Sequence, residues 1–595
     1  MKKSLFLIPC LAAALWSCSD KDVVGPENDK DQPTDAGYLA IRIAGANESY
    51  SRADDEKYED GIASEWAVKN IRFFFFTDKG DVSRCVLGET YYADIVPEGS
   101  EQNGHENISG DLNAVVVLQS PAGDKPEAPA YIVAVCNPPK DFGTGTGTEI
   151  KRFSDLQTLR EASGLNGSTI IMSNSVYHNE KKGDSADLEH MVEIKGHVKN
   201  TKGEAQNDPV TIYVDRVPAK VSVIIGEDLK KAEGKNFYEL TPAKTDDNLE
   251  VEKTKLYVRL DGWNVTATAS ETYGIKNLEK WKNYEVENGP FAGWNKVSYF
   301  RSFWATNPDD ITYNYGKYEN KETENDPTVA NYLKGFADEG TDVNYTYVNE
   351  NAFEPGGDNT EHNPQNRTTA TTTKAIFAAT IVNSNGDPVS FAEFAGERIL
   401  LAKGGTYSEE PLLTTYAKYS NIYVRTGDGE TEPFKYTRLA PSDLKLMTSF
   451  DIKKNNEDAQ VGALYYTYAQ LINSNLTYTL GNDENAEEID ADKVNQILIS
   501  LGGAKVWKDG KTYYYHEIEH LNKTGKETDL GYYGVIRNHW YQISISKIVG
   551  FGTPVFKPEE TIYPIYPEPE TTTYLSAEIK ILSWRLVPQS STLGK

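Results

Sequence analysis

The stretch Ala67-Val68-Lys69-Asn70-Ile71-Arg72-Phe73-Phe74-Phe75-Phe76 decides the fold class. Successive side chains of a strand point to opposite faces, so four consecutive phenylalanines put two rings on each side of a sheet. Neither side of such a strand suits water. The run predicts a strand over Val68–Thr77 that is buried on both faces inside a β-sandwich. Asp78-Lys79-Gly80-Asp81 then turns the chain.

Working outward, apolar runs and alternations of the same kind recur along the chain. They predict strands at Ala114–Gln119, Tyr131–Cys136, Thr211–Asp215, Val221–Ile225, Lys255–Leu260, Asn264–Thr268 and Lys374–Val382. Further strands are expected at Tyr423–Arg425, Ala504–Trp507, Thr512–His516 and Trp540–Val549. Helical spacing is scarce; Ser154–Ser163, with Leu156 and Leu159, predicts one short helix. Tyr (37) far outnumbers Met (4), the bias of a β protein. The fold class is all-β with minor helix. No short period repeats, which excludes solenoids and propeller arrays. Near Asn277 the texture shifts to Trp- and Tyr-rich segments, so two β domains are expected, 53–275 and 276–595.

The first residues carry an export pattern. Lys2 and Lys3 precede the apolar run Leu5–Leu15, too short for a bilayer anchor, which ends in Ser17-Cys18. Residues 1–18 read as a lipoprotein signal peptide in which Cys18 is lipidated, although Trp16 is bulky for that position. Residues 19–36 form a polar tether. Leu39, Ile41 and Ile43 then share one face of a half-buried strand, followed by a hydrophilic loop that contains Arg52.

The 595 residues carry 61 basic against 89 acidic side chains, a formal net charge of −28. Such a surface argues against nucleic acid and anionic membranes as partners. Beyond the signal region only Cys85 and Cys136 remain, compatible with one disulfide or with two separate thiols. His516-Glu517-Ile518-Glu519-His520 matches H-E-x-x-H, a zinc-protease pattern that needs both histidines one helical turn apart. The preceding Lys511-Thr512-Tyr513-Tyr514-Tyr515 is strand-like instead, and on a strand residues i and i+4 lie about 13 Å apart. The string is therefore read as a strand running into a turn with surface charges. No catalytic, cofactor-binding or metal-binding residue is expected, and no enzyme activity.

An ordered set of strings resembles the fimbrillins of type V pili, most closely the Mfa-type minor-fimbrium shaft subunits. It comprises Ser51-Arg52-Ala53, the Ala67–Phe76 stretch, Met172–Tyr177, Val217-Pro218-Ala219-Lys220-Val221, Arg301–Ala305, Gly534–Tyr541, Gly550–Val555 and Leu575–Trp584. The resemblance implies two transthyretin-like β-sandwich domains and export as an outer-membrane lipoprotein. It implies cleavage between Arg52 and Ala53 by a trypsin-like (gingipain-type) Arg-specific protease, making 19–52 a propeptide. Removal of the propeptide strand opens a groove that a strand of the next subunit fills.

The residues make this plausible on their own. Leu575, Ala577, Ile579 and Ile581 repeat the single apolar face of Leu39, Ile41 and Ile43, so residues 573–587 form a donor-strand candidate. The expected function is a self-polymerising pilus-shaft subunit supporting adhesion and biofilm formation. Its expected partners are copies of itself, anchor and tip fimbrial proteins, the maturation protease and host or bacterial surface receptors. Two other readings stay open: an accessory or tip adhesin, and a glycan-binding surface lipoprotein using Trp281, Trp294 or Trp304.

Overall fold

The computed structural model describes residues 37–45, 62–83, 91–95, 112–118, 129–145, 150–175, 177–179, 187–243, 245, 248–277, 306–308, 310–316, 334–338, 344–352, 371–520, 533–558, 574–582 and 587–588. Its first sheet uses β1 (Gly37–Gly45), β2 (Ile71–Phe76), β3 (Tyr92–Ile95), β4 (Leu112–Leu118), β5 (Tyr131–Cys136), β6 (Met172–Asn174) and β7 (Val210–Arg216). Their order is β3-β2-β5-β6-β7-β1-β4, with Val192–Glu193 pairing beside β5. Side chains from both ends of this order, Ala93 and Ile95 of β3 and Ala114 and Val116 of β4, meet in one core. The sheet is therefore curled over its own face.

The four phenylalanines of β2 are all buried. Phe73 and Phe75 enter that inner core. Phe74 and Phe76 enter a second one on the opposite face, with Val133, Val135, Leu156 and Ile275. Arg72 is tolerated among them because its Nε and Nη2 donate to the two Asp94 carboxylate oxygens at 2.6 and 2.8 Å. Asn137, just past the end of β5, also holds the start of the run. Asn137 adopts φ 54°, accepts from the Lys69 N–H at 2.7 Å and donates to the Ala67 carbonyl at 2.8 Å. The expected helix over Ser154–Ser163 is one turn only, α1 (Phe153–Gln157), because Arg160–Glu161 pairs as a strand with Thr272–Tyr273.

The chain leaves the first sheet at Val217-Pro218. β8 (Ala219–Ile225) pairs antiparallel with β10 (Tyr345–Val348) and runs parallel to β13 (Trp540–Val549), far away in sequence. β9 (Tyr257–Thr266) pairs with β11 (Lys374–Val382), which pairs with β12 (Lys511–Glu517). Sheet membership thus changes well before the boundary expected near residue 275. The two segments expected at Lys255–Leu260 and Asn264–Thr268 are one strand, β9, bulged between Leu260 and Gly262. The sheet of β8 and β13 packs against the sheet of β9, β11 and β12 through Val221, Val223, Tyr541 and Ile543 on one side and Val258, Trp263, Phe377 and Tyr514 on the other. That is the second sandwich.

A third core lies within residues 392–506. It is built on α3 (Glu410–Ser420), with Leu412, Leu413 and Tyr416 inward, and α5 (Ala491–Ser500), with Val494 and Leu498 inward; α4 (Ser449–Asn455) lies between them in sequence. Pro411 in the first turn of α3 and the Asp490 cap of α5 are ordinary helix starts that strand-focused reading passes over.

Candidate strand-exchange groove

β1 is an interior strand of the first sheet. It runs parallel to β7, with Ile41 opposite Val210 and Ile43 opposite Ile212. It runs antiparallel to β4, with Leu39 opposite Val116 and Ile41 opposite Ala114. The alternation read in the sequence fixes its faces: Leu39, Ile41 and Ile43 are all 0% exposed in the inner core. On the other face Ala40 packs on Val115 and on Ala205 of α2 (Lys202–Gln206), while Arg42 is exposed. At its start the strand exchanges backbone hydrogen bonds with Lys199, Tyr38 N–H to Lys199 O at 2.7 Å and Lys199 N–H to Tyr38 O at 2.8 Å. Burying three such side chains stabilises by roughly 5–9 kcal/mol. Taking β1 out would leave a slot between β7 and β4, lined by apolar side chains and unpaired main-chain groups.

Cys18, Arg52 and Ala53 lie outside the described residues, as do Cys85, Trp281, Trp294 and Trp304. The described chain ends at Gly45 and resumes at Ile62, so Arg52 belongs to the connection that follows β1. Cys136 is buried, and the apolar surroundings push its thiol up to about 12. The donor candidate forms β14 (Tyr574–Leu582), antiparallel to β13 of the same chain; the side chains of Leu575, Ala577, Ile579 and Ile581 lie outside the described set. Beyond β14 the sheet has only the two-residue strand Val587–Pro588, so β14 sits near an edge.

The H-E-x-x-H string runs along β12 and just past it, so the helix that would converge its two histidines is absent from this segment. The expected surface charges are a misreading: His516, Glu517, Glu519 and His520 are all buried. Glu517 accepts from the Thr372 hydroxyl at 2.7 Å and lies 3.5 Å from the ammonium of Lys374. His520 Nδ1 lies 2.8 Å from the Tyr541 hydroxyl. Burial holds the His516 imidazole down at about 4, against an ordinary value of 6.5. Among the described residues neither of its ring nitrogens has a hydrogen-bond partner.

A buried polar seam joins the two sandwiches, and sequence reasoning did not foresee it. Glu65 accepts from Lys220 at 2.7 Å and from the Tyr347 hydroxyl at 2.7 Å. Arg216 Nε donates to the Glu65 carbonyl at 2.8 Å. Burial pushes the Glu65 carboxyl up, but Lys220, Tyr347 and the Ile62 N–H pull it net below its ordinary value. Lys220 also lies 4.0 Å from the Trp540 ring centre. Alongside, Arg537 donates to Glu350 at 2.8 Å and Asn538 donates to Asp215 at 3.2 Å. The strings Val217–Val221 and Gly534–Tyr541 meet along this seam. A signal was present, since charged residues sit inside otherwise apolar strings, but their partners are hundreds of residues away.

Residues 505–589 match the family model "Major fimbrial subunit protein type IV, Fimbrillin, C-terminal". No curated protein matches the sequence. Among solved structures, a fimbrilin from Porphyromonas gingivalis W83 is 13% identical, with 93% of this chain and 98% of that one covered at a TM-score of 0.36. The tip fimbrial protein Mfa3 of Porphyromonas gingivalis, truncated at its C-terminus, is 11% identical over 68% of this chain and 98% of that one, with a TM-score of 0.26. A fimbrial assembly protein from Parabacteroides distasonis is 9% identical over 62% and 100%, with a TM-score of 0.21. Likenesses of that size decide nothing by themselves. The family match spans β12 of one sheet of the second sandwich and β13 and β14 of the other, and so takes in the donor candidate. Residues 505–589 thus resemble the C-terminal segment of a fimbrillin, which supports a fimbrial-subunit role for the chain.

Proposed function

We propose that this chain is a fimbrial shaft subunit that polymerises by protease-triggered strand exchange and is not an enzyme. Exported as an outer-membrane lipoprotein acylated at Cys18, the precursor is cut between Arg52 and Ala53 by a trypsin-like Arg-specific protease. β1 then leaves its slot, and the Leu575, Ala577, Ile579 and Ile581 face of β14 from a second copy fills it. Anchor and tip fimbrial proteins end the polymer, and surface receptors on host or bacterial cells are its targets.

One observation carries this reading. β1 is an interior strand followed in the chain by the connection that contains Arg52, so a single cut there severs a strand the first sheet is built around. β14 has the opposite character. It sits near a sheet edge, after a stretch with Pro558, Pro564, Pro567 and Pro569. At 3.3–3.6 Å per residue, residues 557–573 could reach roughly 55–60 Å when extended. The two-domain division follows the same logic, the first domain holding the slot and the second supplying the donor.

The test is N-terminal sequencing of assembled fibres together with deletion of residues 573–595. Fibres should begin at Ala53, and the deletion should give a folded, cleaved monomer that does not polymerise. Fibres whose subunits still begin at Cys18, or normal fibres from the deleted chain, would sink the proposal.

A further inference from the structure

We propose that exchange is locked into one register, with Ser576 of one copy seated where Ala40 leaves the slot of the next. The inference rests on the strand-exchange reading above and specifies its geometry.

The inward face of the donor does not choose a register. Sliding a strand by two residues keeps the same side chains inward. Leu575-x-Ala577-x-Ile579-x-Ile581 offers an apolar triplet to the positions of Leu39, Ile41 and Ile43 in more than one way. The outward face does choose. Position 40 is closed over by Val115 and Ala205; Ala40 is 4% exposed and Ala205 is 0% exposed. Only a small side chain fits beneath α2. Position 42, by contrast, is open to solvent.

Two registers put apolar donor side chains at 39, 41 and 43, and the neighbouring one with Leu575 at 41 keeps apolar side chains at two of the three. With Leu575 at position 41, Tyr574 falls at 40 and its ring meets α2. With Ile579 at position 41, Glu578 falls at 40 and a carboxylate is buried against Val115 and Ala205. With Leu575 at position 39, Ser576 falls at 40, Glu578 at the exposed position 42, and Ala577 and Ile579 at 41 and 43. Burying an unpaired carboxylate or forcing an aromatic ring into a closed contact is strongly unfavourable.

Gly37 points the same way. A Cβ there would lie 2.7 Å from Val198 Cγ1. In the register with Ser576 at 40, Tyr574 falls at position 38 and the residue that falls at 37 is Thr573, smaller than leucine. The register with Glu578 at 40 would put Leu575 there. The hydrogen bonds between position 38 and Lys199 use main-chain atoms only, so Tyr574 can make them as Tyr38 does.

The experiment uses the full-length chain, matured by an Arg-specific protease and allowed to polymerise. Each of three chains carries Ala205→Cys with one donor change: Tyr574→Cys, Ser576→Cys or Glu578→Cys. Non-reduced fibres are digested, and inter-subunit disulfides are mapped by mass spectrometry. The 576–205 link should exceed the other two by at least tenfold. A dominant 574–205 or 578–205 link would overturn the register while leaving strand exchange intact. Fibres without a link in any chain would mean that β14 is not the donor, and both proposals would fall. Cysteine-free variants read the same point: Ser576→Ala should polymerise like the parent, and Ser576→Tyr should give folded, cleaved monomer without fibres. Normal fibres from Ser576→Tyr would overturn the register.

Discussion

Replacing Ile41 by Ala tests whether β1 is a removable keystone. Ile41 is 0% exposed, between Val210 of β7 and Ala114 of β4, and that small neighbour leaves Ile41 to fill the space. Truncating a buried Ile to Ala costs about 2–5 kcal/mol, and at about 3 kcal/mol the opening equilibrium shifts roughly 100-fold. The assay is amide hydrogen exchange on a precursor held uncut by Arg52→Gln. The protected amides of β4 and β7 should exchange roughly 100-fold faster in Ile41→Ala than in its parent, because both strands lean on β1. The same substitution made in the cleavable chain should have no effect on the mature protein, since residue 41 has gone. Unchanged exchange in the uncut precursor would refute the keystone argument. A difference that persists in the mature protein would show that the strand stays after cleavage.

Three other outcomes follow from the buried polar groups. His516 is held neutral by burial, so an unfolded chain with the ordinary value of 6.5 binds more protons below that pH. Stability should fall as pH drops from 6.5 and level off below about 4; His516→Met should shrink the pH 7-to-4 loss, measured by urea unfolding, by about 3 kcal/mol, and an unchanged loss would count against the assignment. At the seam, Glu65→Ala should cost about 3–5 kcal/mol by stranding Lys220, and Glu65→Leu with Lys220→Met should recover most of it; a single-variant cost under about 1 kcal/mol would disprove the tie. Glu517→Ala should destabilise by about 2 kcal/mol through its lost contacts to Thr372 and Lys374, while elemental analysis of the purified protein should find no stoichiometric zinc.

The local periods of this chain were legible because strand geometry is local. Two-residue alternation put Leu39, Ile41 and Ile43 on one face, and four consecutive phenylalanines required cover on both sides. Tyr131–Cys136, Lys374–Val382 and Trp540–Val549 were readable as strands to the residue for the same reason. Helices α3 and α5 carried legible starts too, but they sit among strand-like segments that drew the reading elsewhere. What the sequence could not supply was adjacency. A strand's pattern tells which side is buried and says nothing of which strand lies beside it. That β1 lies between β7 and β4, and that β8 pairs with β13 across more than half the chain, is decided by long-range pairing. Burial of charge follows the same rule. Glu517 and His520 read as surface residues, and Glu65 and Lys220 gave no sign of burial, because a charge is stable inside only beside its partner. Those partners come together only when the sheets have formed.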